Sequence, residues 1–135
     1  MRKDLLKFEH IGLAVKDFTA AVRFYESLGY QCSAPIVDDL QRVELIMCRS
    51  DTMPDVELIK PTGDDSPVGG ILKERPEALY HTCFEVSDLG PFLKDLKRTN
   101  RVLTVSPPKQ AILFGNRHVS FYYVQGVGLL ELLES

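Results

Sequence analysis

His10-Ile11-Gly12-Leu13-Ala14-Val15-Lys16-Asp17 returns later in the chain as His81-Thr82-Cys83-Phe84-Glu85-Val86-Ser87-Asp88, in the shared frame H-x4-V-x-D. A second pair of matching segments closes each half: Val56-Glu57-Leu58-Ile59 and Leu130-Glu131-Leu132-Leu133. A unit that begins on a histidine strand and ends on a glutamate strand, present twice, fixes the architecture before any single residue does. Alternation along a strand puts His10 on one face with Gly12 and Ala14, while Ile11, Leu13 and Val15 take the other. The second face suits packing against a helix. The first leaves open space in front of the imidazole. His81 repeats the arrangement beside Cys83, opposite Thr82, Phe84 and Val86.

Outward from these segments, the first half reads β-α-β-β-β. Residues 8–15 form a strand, and Asp17 caps a helix in which Phe18, Ala21, Val22, Tyr25 and Leu28 recur at helical spacing until Gly29 ends it. Strands are expected at residues 30–37, 41–48 and 55–60, the last two joined by a turn around residues 51–54. Residues 61–78 read as a connector, with a short helix starting at Pro67 and stopping before Pro76. The pattern then restarts. Residues 79–86 form a strand, and Asp88 caps a helix striped by Leu89, Phe92, Leu93 and Leu96. Shorter strands follow at 101–105, 111–114 with 119–124, and 128–133, punctuated by Pro107-Pro108 and Gly126. The expectation is a single α+β domain over residues 1–135, with one module at about 8–60, a connector at 61–78 and a second module at about 79–135.

Composition narrows the function classes. A chain of 135 residues with 44% hydrophobic and 26% charged residues holds enough apolar material for a core without a disulfide or structural metal. A formal net charge of -3 offers no general attraction to nucleic acid or anionic membrane. The cysteines Cys32, Cys48 and Cys83 are odd in number and lack CxxC spacing, so reduced thiols and a cytoplasmic location are expected. The opening residues carry no signal-like apolar stretch, and no segment approaches the roughly 20 apolar residues of a membrane span.

Glu57 and Glu131 interrupt apolar strands, where a buried carboxylate costs several kcal/mol, about 2–7 for a polar group and more for a charge, unless it is paired or metal-bound. Two imidazoles and two carboxylates make a donor set for one divalent ion of borderline or hard character, such as Zn, Ni, Co, Mn or Fe(II). The two carboxylates balance the charge of such an ion. His10, Glu57, His81 and Glu131 are therefore the candidate metal ligands.

These residues resemble the vicinal oxygen chelate superfamily, which includes glyoxalase I, methylmalonyl-CoA epimerase, extradiol dioxygenases and bleomycin-resistance proteins. The opening His10–Asp17 segment, Phe24-Tyr25-Glu26 with Leu28-Gly29, and Val56–Pro61 with Gly63-Asp64-Asp65-Ser66-Pro67 carry the likeness. So do Tyr80–Val86 and the terminal Gly128–Leu133, and the branch most similar is that of the epimerases and bacterial glyoxalase I. The resemblance implies paired βαβββ modules forming a cupped mixed sheet with helices on its convex side, and the same four residues as ligands. It also implies a homodimer, a small carbonyl or thioester substrate, and a divalent ion (Zn, Ni, Co or Mn) that steadies an enediolate while a carboxylate moves the α-proton. Glu131 matches the carboxylate that serves as base. Glu44, isolated in Val43-Glu44-Leu45-Ile46-Met47, matches the second acid/base of some epimerases, with a solvated carboxylate or a partner of Arg42 as its plain alternative. The His-Pro-Lys that usually follows the strand of the epimerases is absent from residues 113–123. Three activities remain in view: an epimerase, a glyoxalase I-type lyase, and a non-catalytic small-molecule binding protein, against which the four intact ligand candidates count. Arg42, Lys109, Arg117 and His118 are read as surface groups, with contact to an anionic substrate as the lesser alternative.

Overall fold

A computed structural model describes residues 6–66 and 68–135 of the chain. Pro67, where the short connector helix was expected to begin, and the first five residues lie outside the described part. Nine strands and three helices are present among the described residues. The strands are β1 (Leu6–Val15), β2 (Gln31–Cys32), β3 (Ile36–Asp38), β4 (Val43–Arg49), β5 (Asp55–Pro61), β6 (Glu77–Val86), β7 (Val102–Ala111), β8 (Arg117–Val124) and β9 (Gly128–Glu134). The helices are α1 (Phe18–Ser27), α2 (Gly69–Leu72) and α3 (Leu89–Thr99). By contact the chain forms two compact units, one of residues 10–80 and the other of residues 81–135 with the start of β1.

In the unit of residues 10–80 the strands run in the order β2-β4-β5-β1, with β3 also on β4. Asp17 caps α1 as expected, its carboxylate accepting from the Thr19 amide at 3.0 Å. Gly29 leaves the helix at a φ of 96°, a conformation that costs glycine least. The apolar stripe of α1 packs on Val15, Ile46, Cys48, Val56 and Leu58. Each fully buried Val or Leu among these contributes about 1.5–3 kcal/mol. Tyr30 closes the cluster. Its ring sits edge-on to Tyr25, and its hydroxyl donates to the Pro54 carbonyl at 2.6 Å, while burial raises its pKa above the usual phenol value. Tyr30→Phe is expected to lower stability by about 1 kcal/mol in a denaturant titration, the typical net worth of one such hydrogen bond.

In the other unit the order is β6-β9-β8-β7, so the two halves share the internal order first strand, last strand, penultimate strand, and then the edge. Leu89, Phe92, Leu93 and Leu96 of α3 pack on Val86, Tyr122, Val124, Leu130 and Leu132. Asp88 stands at the N-cap of α3 without the side-chain hydrogen bond expected of it.

Four expected strands take a different form. Residues 30–37 hold two short strands rather than one, because Pro35 cannot donate to a ladder and separates β2 from β3. The strand expected from residue 41 starts at Val43, because Arg42 has a φ of 58° and turns the chain between β3 and β4. Pro107-Pro108 does not end a strand. β7 continues through both prolines as the terminal strand of the order, with register shifts between Thr104 and Lys109 absorbing the lost donors, and residues 112–114 form a 3-10 turn instead of a strand.

Candidate metal centre

β1 and β5 run parallel with Gly12 opposite Glu57. Residues opposite one another share a face, so Glu57, Gly12 and His10 point the same way, with His10 a diagonal neighbour of Glu57. The Nε2 of His10 lies 3.5 Å from a Glu57 carboxylate oxygen. β6 and β9 repeat this register: Cys83 stands opposite Glu131, and His81 precedes Cys83 by the same two residues. There the Nε2 of His81 lies 2.9 Å from Glu131. Both pairs form because a small residue, Gly12 or Cys83, occupies the position between imidazole and carboxylate. All four residues are buried, the most exposed being His81 at 5%.

Within each half the structure pairs one histidine and one glutamate that the sequence singled out. Each half sets one imidazole nitrogen and one carboxylate oxygen side by side, His10 with Glu57 and His81 with Glu131. Metal–ligand bonds of about 2.0–2.2 Å set neighbouring ligand atoms about 3.0–3.4 Å apart, close to the two His–Glu separations. An imidazole nitrogen beside a carboxylate oxygen, screened from water in each half, is a donor pair suited to a divalent cation. Buried carboxylates at this density are costly without a cation.

Glu44 stands apart from the His10–Glu57 pair. In the β4–β5 ladder Glu44 stands opposite Lys60, and Met47 stands opposite Glu57, so Glu44 lies on the opposite face from the ligand pair. Its face is that of Ile46 and Cys48, against which α1 packs. Its carboxylate is 3.3 Å from Lys60, whose ammonium also sits 5.1 Å from the centre of the Phe18 ring. The partner is thus Lys60 rather than Arg42, which pairs with Asp65 at 2.9 Å. On the ligand face β4 carries Val43, Leu45 and Met47, all buried.

Phe121 was not anticipated. It stands opposite Glu131 in the β8–β9 ladder and sets its ring edge-on to His81, 5.5 Å between centroids. Its signal in the sequence was only its alternation with Val119 and Tyr123. Arg117 pairs with Glu85 and donates from Nε to the Glu134 carbonyl at 3.1 Å, so it braces β8 on its neighbours. His118 and Lys109 are exposed, Tyr122 is in the core, and Tyr123 is half exposed. No described helix is long and apolar enough to cross a membrane.

Residues 9–121 match the family described as the Glyoxalase/Bleomycin resistance protein/Dioxygenase superfamily. The ethylmalonyl-CoA/methylmalonyl-CoA epimerase of Cereibacter sphaeroides is 33% identical over 108 residues, covering 76% of this chain and 78% of that protein. The human mitochondrial methylmalonyl-CoA epimerase is 31% identical over 97 residues, 70% of this chain but only 54% of its own length. Among solved structures, a variant of Streptomyces coelicolor methylmalonyl-CoA epimerase in complex with 2-nitronate-propionyl-CoA is similar at a TM-score of 0.73 and 29% identity, over 97% of this chain and 98% of that one. The methylmalonyl-CoA epimerase of Mycobacterium tuberculosis shares the fold at a TM-score of 0.78 and 21% identity, over 95% and 87% of the two chains.

Proposed function

Because the chain belongs to the Glyoxalase/Bleomycin resistance protein/Dioxygenase superfamily, we propose that it is a divalent-metal-dependent isomerase, similar to methylmalonyl-CoA epimerase, that exchanges the proton next to a carbonyl. The observation that carries this reading is the duplicated, buried His–Glu pair, formed in the same register in each half. His10, Glu57, His81 and Glu131 would hold the ion, with Zn, Ni, Co and Mn as the candidates for this donor set. A divalent ion supplies a Lewis acid that polarises the substrate carbonyl and stabilises the charge left when the α-proton departs.

The chain's own groups do the rest. Glu131 takes the α-proton on a carboxylate oxygen and returns it, as a general base and then a general acid. Phe121, edge-on to His81, keeps water from that side of the imidazole. Val43, Leu45, Met47 and Ile59 line the ligand face beside Glu57 with apolar surface, which lowers the local dielectric and strengthens the charge interactions made there. The activities named for the relatives support a 2-acyl thioester as substrate.

A second reading, a glyoxalase I-type lyase, draws support from the placement of Glu44, since a single mobile carboxylate suffices for a proton shift between adjacent carbons. Assays of both activities, side by side over the four metals, separate the two. Inversion at C2 of a chiral methylmalonyl thioester supports the epimerase, and turnover of a hemithioacetal with no such inversion overturns it.

Glu44→Gln is expected to leave kcat within about twofold. The loss of stability should stay below about 1 kcal/mol, because the Lys60 pair is partly exposed to solvent. A fall of about 10²-fold or more in kcat, the scale of a lost general acid or base, would return Glu44 to the reaction.

A further inference from the structure

β2 and β4 run antiparallel, with Cys32 directly opposite Cys48. The Ser33 amide donates to the Met47 carbonyl at 2.9 Å, which marks the next pair along the ladder as a hydrogen-bonded one. Antiparallel ladders alternate, so Cys32 and Cys48 form a non-hydrogen-bonded pair, the type in which opposed Cα atoms approach to about 4.5 Å. That separation lies inside the span of about 4.4–6.8 Å that a disulfide bridges without moving the backbone. The two sulfur atoms already face each other, at 2.7 Å, as free thiols.

We propose that Cys32 and Cys48 form an oxidation site, a dithiol that a two-electron oxidant of the peroxide class closes into a disulfide between β2 and β4. Cys32 is half buried and is the point of entry, whereas Cys48 is fully buried among Val56, Leu58 and Tyr30. Burial, and then the contact with Cys32, push the Cys48 thiol well above its usual range, so it acts as the resolving partner rather than the first nucleophile. The Cys32 sulfur attacks one peroxide oxygen, giving a sulfenic acid and one water. The Cys48 sulfur then attacks that sulfenic sulfur, its proton leaves with the hydroxyl as a second water, and the S–S bond forms. Two thiols are oxidised and one peroxide is reduced to two waters. The third cysteine, Cys83, lies on β6, stands opposite Glu131 and has no place in this exchange.

The crosslink would tie the short β2 to β4, the strand whose Met47 stands opposite Glu57. Closing the intervening loop of the unfolded chain should raise the Tm, by roughly 5 °C or more on the usual scale.

The test is thiol counting on the full chain treated with hydrogen peroxide, followed by peptide mapping without reductant. The expected result is a fall from three titratable thiols to one, a peptide pair joined through Cys32 and Cys48, and recovery of all three with dithiothreitol. Cys32→Ser and Cys48→Ser should each abolish the linked peptide, while Cys83→Ser keeps it. Three thiols surviving treatment that oxidises a free model thiol would overturn the proposal. So would oxidation of Cys32 to the sulfinic acid with no linked peptide.

Discussion

His10→Ala and His81→Ala are each expected to weaken divalent-metal binding by about 10²–10³-fold. Four protein ligands to an ion bound with about 10–16 kcal/mol contribute about 2.5–4 kcal/mol apiece. Both imidazoles are buried, and each is paired in the same register with a carboxylate of its own half, so the two losses should be of similar size. Equal effects from residues so far apart in the chain are what a duplicated ligand set requires. Competition titrations with a chromophoric chelator measure both variants on one scale. If either histidine could be removed with metal affinity unchanged, the ligand set would be wrong. Raising the metal concentration should restore much of the turnover in both, because neither imidazole moves a proton in the reaction.

Glu131→Gln should behave differently. The amide that replaces the carboxylate keeps an oxygen for the ion but loses the group that accepts the proton. Metal affinity should fall, and kcat at saturating metal should drop by a further factor of about 10²–10⁴, the usual scale for a general base. Glu57→Gln is the control: it removes the equivalent carboxylate of the other half and should lose affinity, with kcat largely recovered at saturating metal. If the two variants respond alike to added metal, proton transfer does not belong to Glu131.

The elements that place these residues were legible because their signals are local. The strand alternation around His10 and His81, the Asp17 cap and the helical stripes of α1 and α3 lie within short windows, and duplication turned weak single signals into a strong joint one. The two His–Glu pairs from which the ligand set is proposed followed from the same repeat. What failed depends on pairing between distant segments. Pro107-Pro108 reads as a break until β7 is known to be the terminal strand of the order, where missing donors are tolerated. Glu44 alternates with Ile46 and Cys48 in the sequence, but its face is set by the register of β4 on β5, and a shift of one residue would have put it on the face of Glu57. The same register that moves Glu44 away brings Leu45 and Met47 in, and Cys32 comes to oppose Cys48 through the equally distant pairing of β2 with β4.

The most direct measurement follows the C2 proton of an enantiomerically pure methylmalonyl thioester in D2O, by NMR, with the metal-free and the metal-loaded protein. Metal-loaded protein should wash deuterium into C2 and invert the centre, the metal-free protein should do neither, and a chelator followed by re-addition of the ion should switch the exchange off and on. Exchange that persists unchanged in the metal-free protein, or a C2 proton that stays in place with every metal of the candidate series bound, would contradict proton transfer by Glu131 at an ion held by His10, Glu57, His81 and Glu131.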